Sequence, residues 1–512
     1  MVNRVHSNRI SEYAHENGGR ALILILLFLL ALYQFYTAGI GGLAIICLSP
    51  FIILFVYIAL KHGMFSFWLL FLINYLVQFL SRESFLPSSI PMSLYNEALE
   101  LLLLAIAIID TRKDFPFQRS QNVMLFALLI WSSYCTLQIL NDTCDLGIDI
   151  GGWYTKARLL AFQLVLIHLI MSIYISSPEI LLKYLKIWGV FTIFAAVWCW
   201  KQQHIGFTAQ ESAFLNGRGR ATHYVSGIIR YFSIFSDAAC FGCTMASSAA
   251  AFIVFSITSK IKKDRIFFLI SGVCAIWAFF ASGTRTALFC FIAGMSLYIV
   301  LSKSFKIAIP VSIIFGIFIF ILAFTDIGQG NNQIRRMRSG FNKNDASANV
   351  RTINQQAIKK YIKDAPWGIG LSVNYENVPA NNKYKKLSTI PPDSTWVYFW
   401  VQTGIIGLSV FLTTTAIIFI SACWIVFFKL KNKFIQGVGS GLCCAFLSIQ
   451  VGGYANVILL QFPNSLLFYG GLSIVYILPY LEPQWVKFEE SRYIEQEVKK
   501  RIKLEKKLAK RV

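Results

Sequence analysis

The chain has 512 residues, 56% of them hydrophobic and 14% charged, with a formal charge of +22. Soluble domains carry about 25% charged residues, so this composition excludes an ordinary soluble fold. Its apolar runs of roughly 20 residues fit membrane-spanning helices, and they lack the short apolar–polar alternation of a β-barrel. The predicted class is therefore all-α, a polytopic transmembrane helical bundle. The positive charge does not imply nucleic acid. Lys and Arg fall in short loops and in the C-terminal tail, the pattern that keeps basic loops cytoplasmic.

In chain order, residues 1–20 are polar, and the apolar run after them has no small-residue cleavage site, which predicts a retained helix. About 14 spans follow from the ~20-residue criterion: 21–37, 39–60, 64–80, 93–110, 121–140, 157–176, 184–200, 234–258, 266–282, 286–302, 307–325, 396–428, 435–457 and 463–480. The short loops then place Lys61, Arg112, Lys183, Lys260, Lys303 and Lys429 on one side, and Asp142, Asp145 and Asp149 on the other. Both termini are expected in the cytoplasm. The organisation predicted is a helical region over 1–325, an external loop over 326–395, three further helices over 396–480 and a basic cytoplasmic tail over 481–512.

The external loop carries its own signals. Ile353, Ala357, Ile358, Tyr361 and Ile362 recur at helical spacing, and Pro366 follows where a helix should stop. Pro366-Trp367-Gly368-Ile369-Gly370 reads as a tight turn that sets an aromatic ring near the membrane surface. In the tail, Ile494, Val498 and Ile502 share a helical face among lysines, which fits either an inner-leaflet helix or a solvated one. Most cysteines lie inside apolar runs. Cys240 and Cys243 have the two-residue spacing of a metal or redox pair but no second pair, so small core residues are expected, and no metal. There is no internal repeat, which weighs against an inverted-repeat transporter.

Several ionisable residues stand out on the external side. Arg230 precedes the span near Ile234, and Asp237 is seven residues on, two helical turns away on the same face. Arg285 lies in the turn of a tight hairpin, Ser282-Gly283-Thr284-Arg285. An arginine at membrane depth is costly without a partner, and guanidinium pairs well with phosphate. Together the two arginines fit a diphosphate clamp; singly, Arg230 fits a partner of Asp237 and Arg285 an anchor to headgroups. Arg158 fits a third phosphate contact or an interfacial anchor. Asp393 fits a general base or a helix cap, and Ser394 is the alternative cap. Glu97 and Glu100, one helical turn apart, are rival bases or solvated interfacial carboxylates. His168 is expected to be a hydrogen-bonded packing residue.

Four segments carry a resemblance. They are Gly227-Ile228-Ile229-Arg230 through Asp237, Ser282 through Leu288, Arg351 through Gly370, and Asp393-Ser394 with Gly404 and Gly407. In that order they resemble the bacterial O-antigen ligase and O-antigen polymerase superfamily of membrane glycosyltransferases. The resemblance implies 12 or more helices, an undecaprenyl-diphosphate-linked glycan donor, no cofactor and no metal. Within the matching segments, catalysis is expected of Asp393, Arg285 and Arg230, and substrate contacts of Asp237, Arg351, Ser394 and Trp396; Arg158, outside them, is added as a substrate contact on its position alone. Ligases of this family typically have His where this chain has Asp393, which tilts the expectation towards a polymerase. The acceptor is then a second glycan repeat; in a ligase it is lipid A core, and in an O-oligosaccharyltransferase a protein Ser or Thr. The location implied is the bacterial inner membrane, among membrane lipid, with a chain-length regulator or other envelope-assembly proteins as partners. The rival from another class is a flippase that moves lipid-linked glycan without reaction.

Overall fold

The computed structural model describes residues 63–85, 91–110, 115–225, 227–341 and 346–508, with a few isolated positions before residue 63. The predicted spans 21–37 and 39–60 lie outside the described residues. From Gly63 on, the long helices are α1 (Gly63–Arg82), α2 (Met92–Ile109), α3 (Val123–Leu137), α4 (Ile150–Tyr174) and α5 (Pro178–His204). A short α6 (Ala209–Asn216) precedes α7 (Ala238–Thr258), α8 (Lys262–Ala281), α9 (Arg285–Leu301) and α10 (Phe305–Phe324). The long loop contains α11 (Asn332–Arg338) and α12 (Ala346–Ile362), after which come α13 (Thr395–Trp424), α14 (Lys433–Ala455) and α15 (Gly470–Leu508). Ten helices among the described residues are long and apolar enough to cross a membrane, and α9 and α10 supply two shorter apolar ones. The chain is a polytopic helical bundle, as its composition requires.

Local sequence sets the helix starts. Asn122, Ser177, Asp237, Ser394 and Asn432 cap α3, α5, α7, α13 and α14, each accepting from backbone N–H groups that the first turn leaves unpaired. α7 is the central helix, packed by α8, α9 and α14. Its run of Ala, Ser, Gly and Cys lets neighbouring backbones come close, the usual basis of helix association in lipid. Cys240 and Cys243 are buried inside it, as expected of core residues. His168 is likewise buried, with Nδ1 on the Ser473 hydroxyl at 3.1 Å and Nε2 on the Ser120 carbonyl at 3.0 Å.

The connectivity puts several helix ends on one face. The starts of α7, α9 and α13 and the end of α14 meet there, with the 456–464 segment bonded to the starts of α7 and α13 and Thr284 bonding the start of α9 to that of α7. Ser236 donates to Gln461 at 2.6 Å, Thr244 donates to Asn464 at 2.6 Å, and the Thr395 hydroxyl donates to the Asn456 carbonyl at 2.9 Å. Residues 326–341 and 346–394 lie on this same face, and the ends of α7, α9 and α13 lie on the other.

The long loop has a core of its own: Ile358, Ile362, Ala365, Ile369, Val373, Val378, Tyr384 and Leu387, closed by Val397 and Val401 of α13. Ile358 and Ile362 are buried as their spacing predicts, whereas Ile353 is exposed. The apolar run 396–428 is not one unbroken helix. At Gly404 the backbone turns to φ 70° and ψ −175°, and the Pro366–Gly370 turn enters the break. N–H groups of Ile369 and Gly370 donate to the carbonyls of Val401 and Gln402, both at 3.0 Å. The Tyr134 hydroxyl donates to the Thr403 carbonyl at 2.7 Å, and the Ile406 N–H donates to the Pro366 carbonyl at 3.2 Å. The broken helix thus leaves these groups paired, as a low-dielectric environment demands. Trp367, half-exposed, stacks on Tyr134 with centroids 6.0 Å apart.

At the other end of the chain, α15 runs through Pro479 and Pro483 without stopping. Its Arg492 pairs with Asp264 at 2.8 Å and its Glu489 with Lys260 at 3.0 Å, so the start of the basic tail docks on the α7–α8 connection. Ile494 and Val498 are exposed beyond that contact.

Candidate functional site

Arg230 is not on a helix, which corrects the expectation that it shares a helical face with Asp237. A two-rung antiparallel ladder, Tyr224–Val225 against Ile228–Ile229, precedes it, and its own N–H donates to the His223 carbonyl at 2.9 Å. The chain then bends through Ser233, at φ 51°, before Asp237 opens α7. Asp237 Oδ1 accepts from the N–H groups of Ala239 at 2.8 Å and Cys240 at 2.9 Å, and the Ser236 hydroxyl donates to Oδ2 at 3.0 Å. It is a helix cap with a carboxylate field that reaches Arg230.

A residue absent from the sequence reading holds this bend. Arg82, the last residue of α1, donates to the carbonyls of Ser233 (3.0 Å), Phe235 and Ser236 (3.4 Å). Its guanidinium lies over the rings of Phe232 at 4.4 Å and Phe214 at 5.3 Å. Nothing in the local sequence marks Arg82, because its acceptors are backbone carbonyls about 150 residues away.

The Ser282–Arg285 turn brings the guanidinium groups together. Thr284 donates to the Ala238 carbonyl at 2.7 Å and accepts from Arg230 Nη2 at 2.8 Å, while Arg230 Nη1 donates to the Thr222 carbonyl at 2.9 Å. Arg336 of α11 donates through Nε to the Gly283 carbonyl at 2.8 Å. Arg285 donates to the Ser339 hydroxyl at 3.3 Å and packs against Gly340. Gly283, at φ 59°, lies between the stems of Arg230 and Arg336: a Cβ there would meet Arg336 Cδ at 3.4 Å and Arg230 Cγ at 3.7 Å. Three arginines from three separate segments therefore meet at one turn. Arg230 Nε is buried with no hydrogen-bond partner among the described residues. Burial, together with the positive fields of Arg336 and Arg285, lowers the Arg230 pKa to about 10, partly offset by Asp237. It stays charged at neutral pH. Such a cluster of like charges is stabilised by an anion.

Beside this cluster a cavity of about 670 Å³ opens, lined by Arg82, Phe214, Arg218, His223, Ser236 and Asp237 among others. His223 Nε2 accepts from the Ala238 N–H at 3.2 Å, which fixes that nitrogen as the unprotonated one. Burial lowers its pKa and favours the neutral ring.

Asp393 is on the same face. Ser394, not Asp393, caps α13, accepting from Trp396 N at 3.2 Å. Asp393 adopts a left-handed φ of 43°, uncommon for a residue with a side chain. Its Oδ2 accepts from Asn354 Nδ2 of α12 at 2.6 Å. Arg351, half-buried, is one helical turn before Asn354 and thus on the same side of α12. Trp396 packs edge-on against Tyr454 at 5.5 Å, and its Nε1 is buried without a partner among the described residues.

Arg158 is elsewhere. It is buried in a π-helical segment of α4, donating to Glu97 at 2.6 Å and to the Ser93 hydroxyl at 2.9 Å. That pairing opposes a role for Arg158 as a third phosphate contact, because its charge is already neutralised. Glu97 also accepts from Tyr154 at 2.6 Å. Glu100 is fully buried against Gln163 at 3.3 Å. Neither glutamate is a solvated interfacial carboxylate as expected. Removing one partner of a buried ion pair costs about 3–5 kcal/mol. Glu97→Ala is therefore expected to lower thermal stability strongly, while the fraction that still folds keeps its specific activity. A normal melting temperature with lost activity would return Arg158 and Glu97 to the site.

Among the described residues no group of His, Cys, Asp and Glu is placed to hold a metal ion. No curated protein matches the chain. A family model described as O-antigen ligase matches residues 270–412. That stretch includes Arg285, Arg336, Arg351, Asn354, Asp393 and Gly404, and leaves Arg230 outside. Over these residues the chain is similar to the O-antigen ligase domain, which supports its resemblance to the O-antigen ligase and polymerase superfamily of membrane proteins.

Proposed function

We propose that the protein is an inverting, metal-independent glycosyltransferase of surface polysaccharide assembly that polymerises undecaprenyl-diphosphate-linked oligosaccharide on the periplasmic face of the inner membrane. The observation that carries this reading is the convergence of Arg230, Arg285 and Arg336 on one turn, on the face that also holds Asp393. Guanidinium groups in a poorly hydrated site bind diphosphate through paired donors and stabilise charge as it develops on the leaving group. The buried, unpaired Nε of Arg230 is a donor suited to such an oxygen.

In the reaction, Asp393 takes the proton of an acceptor hydroxyl, and that oxygen forms a bond to the anomeric carbon of the donor. The bond from that carbon to the diphosphate oxygen breaks from the opposite side, with inversion, and undecaprenyl diphosphate leaves with its electron pair held by the arginines. Asn354, bonded to Asp393 Oδ2, positions the carboxylate. In this reading Arg351, Trp396 and Asp237 contact the substrate, and Ser394 serves the site as the cap that leaves Asp393 uncommitted to the helix.

The ligase reading is favoured by one observation, the O-antigen ligase description of the matching family. Deleting the gene separates the two. Surface glycan reduced to single repeats supports a polymerase; full-length chains retained on undecaprenyl diphosphate support a ligase. An unaltered glycan overturns both, and bare glycoproteins beside it indicate protein O-glycosylation.

Arg336 tests the clamp, because it enters through an element the sequence does not mark. A hydrogen bond to a charged group is worth about 1.5–3 kcal/mol. Arg336→Ala is accordingly expected to reduce transfer about 10- to 100-fold, with the melting temperature little changed. A variant with wild-type turnover would remove Arg336 from the clamp.

A further inference from the structure

The opposite end of the bundle holds a second cationic site. α7 and α9 end there at Thr258 and Leu301, and α14 begins there at Lys433. Between these ends is a cavity of about 480 Å³ whose lining includes Lys260, Arg265, Lys303, Lys431 and Lys433, with the Tyr298 and Ser440 side chains as a polar wall. Among the described residues no carboxylate lines it.

Basic residues are expected in any connection on the inner side of a membrane protein. Here cations from the α7–α8, α9–α10 and α13–α14 connections surround one concavity, and their neighbours hold them in place. Arg265 donates through Nε and Nη2 to the Ser259 carbonyl at 3.0 and 2.8 Å. The Lys303 ammonium lies over the Phe427 ring at 5.0 Å, and burial lowers its pKa from the ordinary lysine value despite the field of Glu482. Two carboxylates of α15 border the site and are already engaged. Glu489 accepts from Lys260 at 3.0 Å and from Asn432 Nδ2 at 3.2 Å. Glu482 accepts the backbone N–H groups of Lys431, at 2.7 Å, and Asn432.

Depth and surroundings identify the class of anion. The 21 residues of α7, at 1.5 Å each, put this cavity about 30 Å from Asp237, one hydrocarbon thickness. The cavity thus opens at headgroup depth, remote from the arginine cluster. Val300, Phe305 and Ile309 beside Lys303 are exposed, at 64%, 83% and 55%, and offer an apolar path for acyl chains. We propose that this cavity binds the phosphate-bearing headgroup of an anionic phospholipid between the ends of α7, α9 and α14, with Arg265, Lys303 and Lys433 as its cationic contacts. Basic pockets between transmembrane helices on the cytoplasmic side are a recurring form of lipid headgroup recognition.

The test uses the full chain in mild detergent, stripped of lipid, and reads bound lipid by native mass spectrometry. The probes are dioctanoyl phosphatidylglycerol, dioctanoyl phosphatidylcholine and inorganic phosphate. Phosphatidylglycerol is expected to bind and phosphatidylcholine not to. Neutralising two cations, Lys303→Gln with Lys433→Gln, is expected to weaken phosphatidylglycerol about 25-fold, roughly 5-fold per charge. The charge-keeping pair Lys303→Arg with Lys433→Arg is expected to bind as the wild type does. Equal binding of phosphatidylcholine, or undiminished binding by the neutral pair, overturns the proposal. Loss in the arginine pair overturns the charge-based recognition. Displacement of phosphatidylglycerol by an equal concentration of inorganic phosphate overturns the lipid as the source of the anion.

Discussion

Asp393→Asn is expected to abolish glycan transfer while the protein still inserts and still binds donor. General-base catalysis contributes about 10²- to 10⁴-fold, and asparagine, though nearly isosteric, cannot take the proton. Asn354 donates to Asp393 Oδ2, and the amide introduced by the substitution can present its carbonyl oxygen to the same donor, so the local hydrogen bond survives the change. Nor is the start of α13 disturbed, since Ser394 is its cap. A loss of activity in this variant would accordingly report chemistry, not a lost cap. Asn354→Ala should cost less, because it misorients the carboxylate without removing it. The measurement is transfer of lipid-linked oligosaccharide by purified protein, with donor binding followed separately. Full activity of Asp393→Asn would dismiss Asp393 as base and would favour a carrier of lipid-linked glycan, which has no proton to move.

Gly404→Ala is expected to have the largest effect on stability. Gly404 sits at φ 70°, and a Cβ there would be 2.0 Å from the Pro366 carbonyl oxygen and 2.3 Å from Gly368 N. The backbone region alone costs about 1–3 kcal/mol for a residue with a side chain. The clash would also expel the turn and unpair the carbonyls of Val401 and Gln402 inside a helix otherwise built for lipid. A total above about 4 kcal/mol follows, in the range reserved for such combined failures. Gly368→Ala meets the same contact from the other side, with its Cβ 2.3 Å from Gly404 N. Gly316→Ala is the control, since nothing lies within 4 Å of that position. Thermal melting of the detergent-purified proteins decides the matter. A Gly404→Ala protein that melts with the wild type would show the turn to be replaceable.

The two outcomes are linked by the architecture of the long loop. Its helix α12 supplies Asn354 to Asp393, and its turn at Pro366–Gly370 is locked into the break in α13. A loosened turn would release the element that orients the carboxylate. Gly404→Ala should therefore lose activity even in whatever fraction remains folded.

Sequence by itself determined the class, because apolar runs near 20 residues in so uncharged a chain have few other solutions. It also determined the loop helix and its stop at Pro366, which depend on residues within a few positions of one another; that a cap stands at Asp393 or Ser394 was legible too, but which of the two it is came from the structure. The tertiary structure alone decided which arginines meet. Arg336 reaches Gly283 across 53 positions, and Arg82 reaches Ser233 across 151, in both cases through backbone carbonyls that every residue possesses. Arg158 fits a third phosphate contact or an interfacial anchor by sequence, and only the fold sets Glu97, 61 residues earlier, beside it. Contacts closed by chain topology leave no periodic trace, whereas helices, caps and turns obey local geometry and can be read directly.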